Sequence, residues 1–219
     1  MRRALLINPN SNTSVTRGLK NALRSFRDAA DLDIDCIELK NGPFGIESDE
    51  DIQSVLPMLI HEISSRIDDY DAFVIACYSD PGLAECRAIS AKPVFGIHES
   101  AVTLSASYGR KFGVLALGRE SIQRHISYIK QLGLQEFYVG ERPLNITVDE
   151  AANGPDTLRK IVAGGRELIQ EDGAETIILG CAGLAALRHS AQEKLGVPVI
   201  DPVQAAVTMV AKARSNLAS

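Results

Sequence analysis

The chain has 219 residues, of which 45% are hydrophobic and 23% charged, so it can bury a substantial core in one large domain or two small ones. The formal net charge of −5 is modest, and lysine and arginine are dispersed along the chain, which argues against a nucleic-acid partner. Only four apolar residues follow the Met-Arg-Arg start, too few for a signal-peptide core or a membrane span. We therefore expect a cytoplasmic protein with no membrane partner.

Short apolar runs alternate with longer segments of helical periodicity along the whole chain. Strands are predicted near residues 4–7, 32–37, 72–76, 94–96, 112–116, 136–139, 176–179 and 197–200. Helices are predicted near residues 13–26, 51–67, 82–88, 99–107, 120–130, 156–170, 184–194 and 203–214. The stretches 41–45 and 141–155 are predicted to be loops at the active side. Alternating strands and helices indicate parallel sheets covered by helices.

Eight strand–helix units could also close into a (β/α)₈ barrel, although this chain is at the short end of that fold's range. The two halves of the chain, however, resemble each other. Each contains a strand followed by a cysteine, Cys77 or Cys181, then a helix and a Pro-Val strand. This repeat predicts an α/β fold of two pseudo-symmetric, doubly wound, flavodoxin-like lobes with parallel four-stranded sheets and an active-site cleft between them. The first lobe is predicted to comprise residues 1–97 plus 203–219, and the second residues 98–202.

Cys77 and Cys181 are the strongest catalytic candidates. Both follow strands at the carboxyl edge of a sheet, where open α/β folds bind their ligands. Each precedes a predicted helix, and Asp80 is predicted to cap the first of these, with Pro81 at its first position. A helix amino terminus can lower a thiol pKa from its usual value near ~8.5, so both are predicted to provide thiolates. One such cysteine is more often a buried packing residue, but two at equivalent positions of a repeat favour a function.

The other cysteines and the histidines carry weaker signals. Cys36 lies within a predicted strand and Cys86 within a predicted helix, so both are interpreted as packing residues. His98 follows a strand at the active edge and is a minor candidate for a functional residue. The remaining histidines are interpreted as solvated helix residues: His61, His125 and His189. Because no metal-ligand spacing and no phosphate-binding glycine motif occurs, neither a metal nor an organic cofactor is predicted.

The loop at residues 8–13 contains asparagine, serine and threonine but no lysine or arginine. Its neutral amides and hydroxyls suit a polar, weakly charged ligand. The same residue types are good helix caps, so capping of the next helix is an equally good and compatible interpretation.

Four segments resemble motifs of the aspartate/glutamate/hydantoin racemase superfamily, most closely its hydantoin and allantoin racemase branch. They are LINPNSN at 6–12, GPFGIES at 42–48, ACYSDPGL at 76–83 and GCAGL at 180–184, and the resemblance spans essentially the whole chain. It implies a ligand between two lobes, Cys77 and Cys181 as the two acid/base residues, no cofactor, and a homo-oligomer. Amino-acid racemases of this superfamily follow the second cysteine with Thr and then His or Glu. Ala182 and Gly183 stand here instead, which favours a neutral cyclic ureide such as a 5-substituted hydantoin or allantoin.

The mechanism expected from this resemblance exchanges a proton on each face of one ring carbon. One thiolate removes the hydrogen, and the opposite thiol returns one to the resulting planar enolate. Backbone N–H groups at Ser79, Asp80, Ala182 and Gly183 are expected to meet the enolate charge. Further substrate contacts are predicted at three kinds of position, the polar loop, the second loop and the end of the fifth strand: Asn8, Asn12, Ile46 and Gly118.

Several other functions remain open. An amino-acid racemase, a maleate isomerase or an arylmalonate decarboxylase would belong to the same superfamily. A two-lobed ligand-binding module without chemistry also fits the predicted fold. A thiol redox protein is disfavoured, because the two cysteines are expected to face each other across a gap of ligand size.

Overall fold

The structure is a computed structural model, and it describes residues 2–24 and 32–213. This part of the chain contains the strands β1 (Arg2–Asn8), β2 (Leu32–Glu38), β3 (Ala72–Ile75), β4 (Val94–Gly96), β5 (Phe112–Ala116), β6 (Tyr138–Pro143), β7 (Thr176–Leu179) and β8 (Val199–Ile200). Its α-helices are α1 (Thr13–Ala22), α2 (Asp49–Ser65), α3 (Leu83–Ile89), α4 (Ile97–Ser107), α5 (Ile122–Gln131), α6 (Val148–Asn153), α7 (Thr157–Glu171), α8 (Arg188–Leu195) and α9 (Pro202–Lys212), and a 3₁₀ helix covers Ala182–Leu187. The predicted helix ends at residues 25–26 and 214 lie outside the described residues.

The strands form two parallel sheets with the same topology. Their orders are β2-β1-β3-β4 and β6-β5-β7-β8. The inner strands β3, β5 and β7 are buried at every residue, as expected for parallel strands that have helices on both faces. This burial explains why they are continuous apolar runs in the sequence. The predicted architecture of two doubly wound α/β lobes is confirmed.

The helix that leaves each sheet packs on the other one. Ala101, on α4, belongs to the same buried cluster as Val114 and Ile178 of the second sheet. Val207, on α9, belongs to the cluster that contains Leu6 of the first sheet. The chain therefore passes into the second lobe after β4 and returns to the first after β8. The lobe boundaries at residues 97–98 and 202–203 stay a prediction.

The loop predicted at residues 141–155 is wrong in two respects. Strand β6, predicted near 136–139, lies further along the chain and reaches Pro143, and helix α6 follows after four residues. The helix begins with a capping box in which Thr147 accepts from the N–H of Glu150 at 3.2 Å and Glu150 accepts from the N–H of Thr147 at 2.8 Å. The motif T-x-x-E that produces this box is present in the sequence. The helix predicted at 184–194 is also split, into the 3₁₀ helix and α8.

In the part of the chain that the structure describes, none of the helices combines the length and the apolarity that crossing a membrane requires.

Candidate active site

Cys77 and Cys181 hold equivalent places at the carboxyl edges of the two sheets. The N–H of Ala76 donates to strand β1 at 2.8 Å, and the N–H of Gly180 donates to strand β5 at 2.9 Å. Each cysteine therefore follows the last residue that pairs with a neighbouring inner strand. Each also begins a tight turn, because the N–H three residues later donates to its carbonyl, at 2.9 Å for Cys77 and 3.2 Å for Cys181.

Both cysteine side chains line one cavity of about 140 Å³. Both are free thiols and are partly exposed. The wall is built from both lobes, and it includes five of the other residues predicted to contact the substrate: Ile46, Ser79, Gly118, Ala182 and Gly183. The structure thus brings seven of the ten predicted site residues to a single cavity.

The environment of the thiols differs from the prediction. Burial raises the pKa of Cys77 to about 12 and that of Cys181 to about 11. The backbone N–H groups of Ser79 and Gly183 act in the opposite direction, and that of Gly183 donates to the Cys181 Sγ at 3.3 Å. The predicted lowering of both pKa values is wrong, because desolvation of a thiolate outweighs these N–H groups.

The thiols also interact with each other. A negative charge on Cys181 raises the pKa of Cys77 further, after the larger effects of burial and the Ser79 N–H. Ionisation of one thiol therefore opposes ionisation of the other. The protein accordingly favours at most one thiolate in the cavity, with the partner cysteine still protonated.

The polar loop after β1 places a different asparagine at the cavity from those predicted. Asn8 is fully buried and donates to Asn10 Oδ1 at 2.9 Å and Thr16 Oγ1 at 3.2 Å, so it holds the loop together. Asn12 caps α1 by accepting from the N–H of Ser14, which confirms the capping interpretation. Neither Asn8 nor Asn12 lines the cavity, because both amides are engaged within the protein. Asn10 does line it.

Asp80 is also not at the cavity, and it caps a different helix from the one predicted. The N-cap of α3 is Gly82, and the carboxyl of Asp80 instead accepts from the N–H groups of His98 at 3.0 Å and Glu99 at 2.8 Å. These two N–H groups belong to the first turn of α4. The N-cap residue of this helix, Gly96, has no side chain that could accept from them. Burial raises the pKa of Asp80 to about 7 despite these two N–H groups. Asp80 therefore joins the Cys77 turn to the start of α4.

Arg124, on α5, places a guanidinium on the cavity wall. Its Nη1 forms a salt bridge with Asp49, at the start of α2 in the first lobe. Two further polar contacts join the same regions: Glu47 Oε1 accepts from the N–H of Val148 at 2.9 Å, and Asn12 Nδ2 donates to Asp149 Oδ1 at 3.1 Å. Polar contacts between the lobes thus involve three residues of the cavity wall, Glu47, Arg124 and Val148.

Two histidines belong to a cluster of aromatic rings that includes Tyr78, the residue after Cys77. His98 stacks on Tyr78 with ring centroids 4.3 Å apart, and the His125 ring lies edge-on to both at 5.0–5.2 Å. His125 is 2% exposed, and its Nδ1 lies 2.7 Å from Oε1 of the buried Glu141. The interpretation of His125 as a solvated residue is therefore wrong. Burial lowers the pKa of His98 well below its ordinary range, which keeps that ring neutral.

The remaining predictions for cysteine and histidine agree with the structure. Cys36 and Cys86 are buried in the apolar clusters of the first lobe. His61 and His189 are exposed on helices. Within residues 2–24 and 32–213, no group of three or more His, Cys, Asp or Glu residues is arranged to hold a metal ion.

Several cavity residues were not predicted: Asn10, Glu47, Glu120, Ser121, Arg124 and His125. A signal for three of them exists in the sequence. Ser121, the N-cap of α5, is followed at i+3 and i+4 by Arg124 and His125, so the three residues lie on one side of this helix. The sequence alone does not tell which face of that helix meets the cleft.

The family model described as Asp/Glu/Hydantoin racemase matches residues 5–210. The chain belongs to this family. Among curated relatives of this racemase family member, a hydantoin racemase from Pseudomonas sp. (strain NS671) is 35% identical over 92% of this chain and 82% of its own length. A hydantoin racemase from Paenarthrobacter aurescens is 33% identical over 93% of this chain and 87% of its own length.

A solved structure agrees with this family assignment. Allantoin racemase from Klebsiella pneumoniae superposes with a TM-score of 0.92 at 26% identity, covering 100% of this chain and 89% of that protein. The two-lobed architecture of this family member is therefore that of a solved racemase over its whole length.

Proposed function

We propose that this protein is a cofactor-independent racemase of a neutral cyclic ureide, a 5-substituted hydantoin or allantoin. The observation that carries the proposal is that Cys77 and Cys181, from equivalent places in the two lobes, line the same cavity. The hydantoin racemases and the allantoin racemase described above support the choice of substrate class.

The chemistry requires a base on one face of the α-carbon and an acid on the other. In the proposed cycle, one cysteine thiolate takes the α-proton, and the electron pair of the broken C–H bond moves toward the ring carbonyl. The opposite thiol then gives its proton to the other face of the planar enolate. The two cysteines exchange protonation states in each turnover, so opposite enantiomers use opposite cysteines as base.

The cavity lining favours a neutral ligand. Its wall carries the carboxyl groups of Glu47 and Glu120 and one guanidinium, that of Arg124, which is already paired with Asp49. A carboxylate substrate would therefore meet no excess of positive charge. A neutral ring, in contrast, finds hydrogen-bonding side chains such as Asn10.

Apolar side chains on the wall provide room for the substituent on the ring. They are Val15, Ile46, Leu117, Ile146 and Val148. We assign Ile46 and Val148, which both line the cavity, to the 5-substituent. Because an apolar pocket discriminates only weakly between substituents that differ by about one methylene group, a family of related substituents should be accepted.

Enantiopure substrates test this function. Allantoin and hydantoins with methyl, isopropyl, isobutyl and benzyl substituents would be followed by optical rotation, with the non-enzymatic racemisation subtracted. Aspartate, glutamate, maleate and an arylmalonate would be tested in parallel. We expect enzyme-dependent loss of rotation with at least one ureide. Activity on the amino acids alone would instead indicate an amino-acid racemase, and activity on maleate alone a maleate isomerase. Release of carbon dioxide from the malonate alone would indicate an arylmalonate decarboxylase.

We also propose a cytoplasmic location, a homo-oligomeric assembly, and a small molecule as the ligand, with no nucleic-acid or membrane partner and no metal or organic cofactor. Light scattering coupled to size-exclusion chromatography tests the assembly. Racemase activity that survives exhaustive dialysis against a chelator would support the metal-free mechanism, and activity restored only by a metal would contradict it.

A further inference from the structure

The enolate formed in the proposed reaction needs hydrogen-bond donors, and three of the four expected ones, the N–H groups of Ser79, Asp80 and Gly183, are already engaged. The N–H of Gly183 donates to the Cys181 Sγ at 3.3 Å. The N–H of Asp80 donates to the Cys77 carbonyl at 2.9 Å. The N–H of Ser79 acts on the Cys77 thiol, whose pKa it lowers. These three backbone groups support the cysteines, which leaves fewer backbone donors for the charge on the substrate and directs attention to side-chain donors of the cavity residues.

Arg124 lines the cavity, and its guanidinium has an uncommitted donor. Its Nη1 is paired with Asp49, but its Nε is buried and has no hydrogen-bond partner. A buried N–H without a partner is costly in a folded protein, so a ligand oxygen that accepts from it removes that cost. The side chain also lies near enough to Cys77 for its charge to act on that thiol.

Among the described side chains that line the cavity, one other buried polar atom lacks a partner, the hydroxyl of Tyr78. The Tyr78 ring is 3% exposed and stacks on His98, within the aromatic cluster. Burial raises the pKa of Tyr78 well above its ordinary value, so this residue stays neutral. Arg124 is therefore the better donor for a developing negative charge, because its guanidinium is permanently charged.

We propose that Arg124 is a catalytic residue of the racemisation proposed above, and that its Nε–H donates to the ring carbonyl oxygen that becomes the enolate oxygen. The inference rests on that proposed function. As a thiolate removes the α-proton, the C–H electron pair forms the carbon–carbon double bond of the enolate, and the carbonyl π electrons move onto this oxygen. Arg124 transfers no proton and keeps its charge throughout. When the opposite thiol protonates the carbon, the electrons on the enolate oxygen re-form the carbonyl double bond, and the carbon–carbon double bond supplies the pair for the new C–H bond.

One donor suffices for both directions of the reaction. The two enantiomers give the same planar enolate, with its oxygen in the ring plane between the two thiols. A donor at the cavity wall can therefore serve this intermediate whichever cysteine acts as base. The hydrogen bond strengthens as the charge develops, so it lowers the barrier more than it improves binding of the neutral substrate.

The test compares Arg124→Met and Arg124→Lys with two matched controls. Asp49→Ala removes the salt bridge but leaves the guanidinium, and Arg119→Met removes an exposed arginine that does not line the cavity. Wild type is first assayed with the ureide panel. A wild type that racemises none of them overturns the proposed function, and this result is obtained before any variant is needed.

With an active wild type, we expect Arg124→Met to lower kcat by roughly 10²–10³-fold with a much smaller change in KM. Arg124→Lys should retain part of the activity, and added methylguanidinium should restore part of it to Arg124→Met. Asp49→Ala should lose far less than Arg124→Met, and Arg119→Met should match wild type. The inference is overturned if Arg124→Met keeps kcat within about threefold of wild type, or if Asp49→Ala loses as much as Arg124→Met. Thermal unfolding of each variant identifies any that fails to fold. If Arg124→Met does not fold, the test rests on Arg124→Lys: a loss in kcat with little change in KM supports the inference, and a kcat within about threefold of wild type overturns it.

Discussion

The backbone N–H of Gly183 donates to the Sγ of Cys181 across 3.3 Å. Ser79 holds the same position relative to Cys77, two residues further along the chain, and its N–H lowers the pKa of that thiol. Both sulfurs thus receive the same kind of support from the turn that follows them. Burial nevertheless dominates, and both pKa values lie above that of an ordinary cysteine. The site holds its thiols protonated and close to a donor that stabilises the thiolate when it forms.

Alkylation by iodoacetamide should report these raised pKa values. Because the thiolate is the reactive form, we expect the rates at Cys77 and Cys181 to rise about tenfold per pH unit from pH 7 to 9 without a plateau. Mass spectrometry of Cys77→Ser and Cys181→Ser isolates each site. Rates that level off below about pH 8.5 would mean that the turns after the two cysteines lower the thiol pKa values below that of an ordinary cysteine.

The turnover of the enzyme should follow the same titration. As the pH rises, more molecules carry the one thiolate that the cycle needs, so kcat/KM should increase between pH 7 and 9. Initial rates with one enantiopure ureide measure this, after subtraction of the spontaneous reaction. A flat profile, or a decline over this range, would show that another group limits the rate.

Asp80 should make stability depend on pH. Its pKa of about 7 in the folded protein is above the unfolded value near ~3.9. A raised pKa favours folding most below the unfolded pKa, and this contribution is lost as the pH rises through 7. We expect the free energy of unfolding of wild type to fall relative to that of Asp80→Asn between pH 5 and 8. Urea unfolding at both pH values measures the difference, and no change or an opposite one would contradict the assignment.

Gly96 and Asp80 should be coupled energetically. A Cβ on Gly96 would lie 2.2 Å from the Asp80 Oδ2, so Gly96→Ala must displace the carboxyl that caps α4. Loss of a cap costs about 1–2 kcal/mol, and Asp80→Ala should show this cost. The double variant should be less destabilised than the sum of the single variants, because both remove the same interaction. Strict additivity in a double-mutant cycle would show that the two residues act independently.

The buried pair of His125 and Glu141 should be sensitive to loss of either partner. Their Nδ1 and Oε1 lie 2.7 Å apart, and both side chains are at most 3% exposed. Glu141→Ala leaves the imidazole without its partner and should destabilise the protein by about 3 kcal/mol or more. Glu141→Gln keeps an acceptor for an Nδ1–H and should cost less. The exposed pair His189 and Glu193 offers a control, since Glu193→Ala should cost below about 1 kcal/mol. Equal losses in Glu141→Ala and Glu193→Ala would contradict this account.

The fold was predictable because its signals are local and repeated. The buried strand β3 is an apolar run of four residues, β7 is apolar after Thr176, and the cysteine two residues after the end of each strand marks the repeat. What failed were the elements that depend on contacts between distant segments. Strand β6 is half-buried along its whole length and so lacks a clear alternation of apolar and polar residues.

The candidate site was predictable only in part, for a similar reason. The position of a cysteine at a strand end follows from the sequence, but whether an asparagine faces the ligand or the loop depends on partners elsewhere. Asn8 is held by Thr16, and Asn12 reaches Asp149 in the other lobe. Arg124 can be recognised as a cavity residue only from the packing of α5 against the first lobe, because its partner Asp49 lies there. The thiol pKa values depend on the burial of the whole cleft, which no short motif encodes.

The central claim is that two cysteines act on opposite faces of one carbon, and an isotope experiment in heavy water tests it most directly. An enantiopure ureide that racemises slowly without enzyme would be incubated with wild type, Cys77→Ser and Cys181→Ser, and sampled early. Chiral chromatography with mass spectrometry would measure the deuterium in substrate and product. We predict that the inverted product carries one α-deuterium while recovered substrate keeps its hydrogen, and that each variant racemises about 10²–10⁴-fold more slowly. Inverted product that retains the original hydrogen, or a variant that racemises at a rate close to that of wild type, would contradict the two-cysteine mechanism.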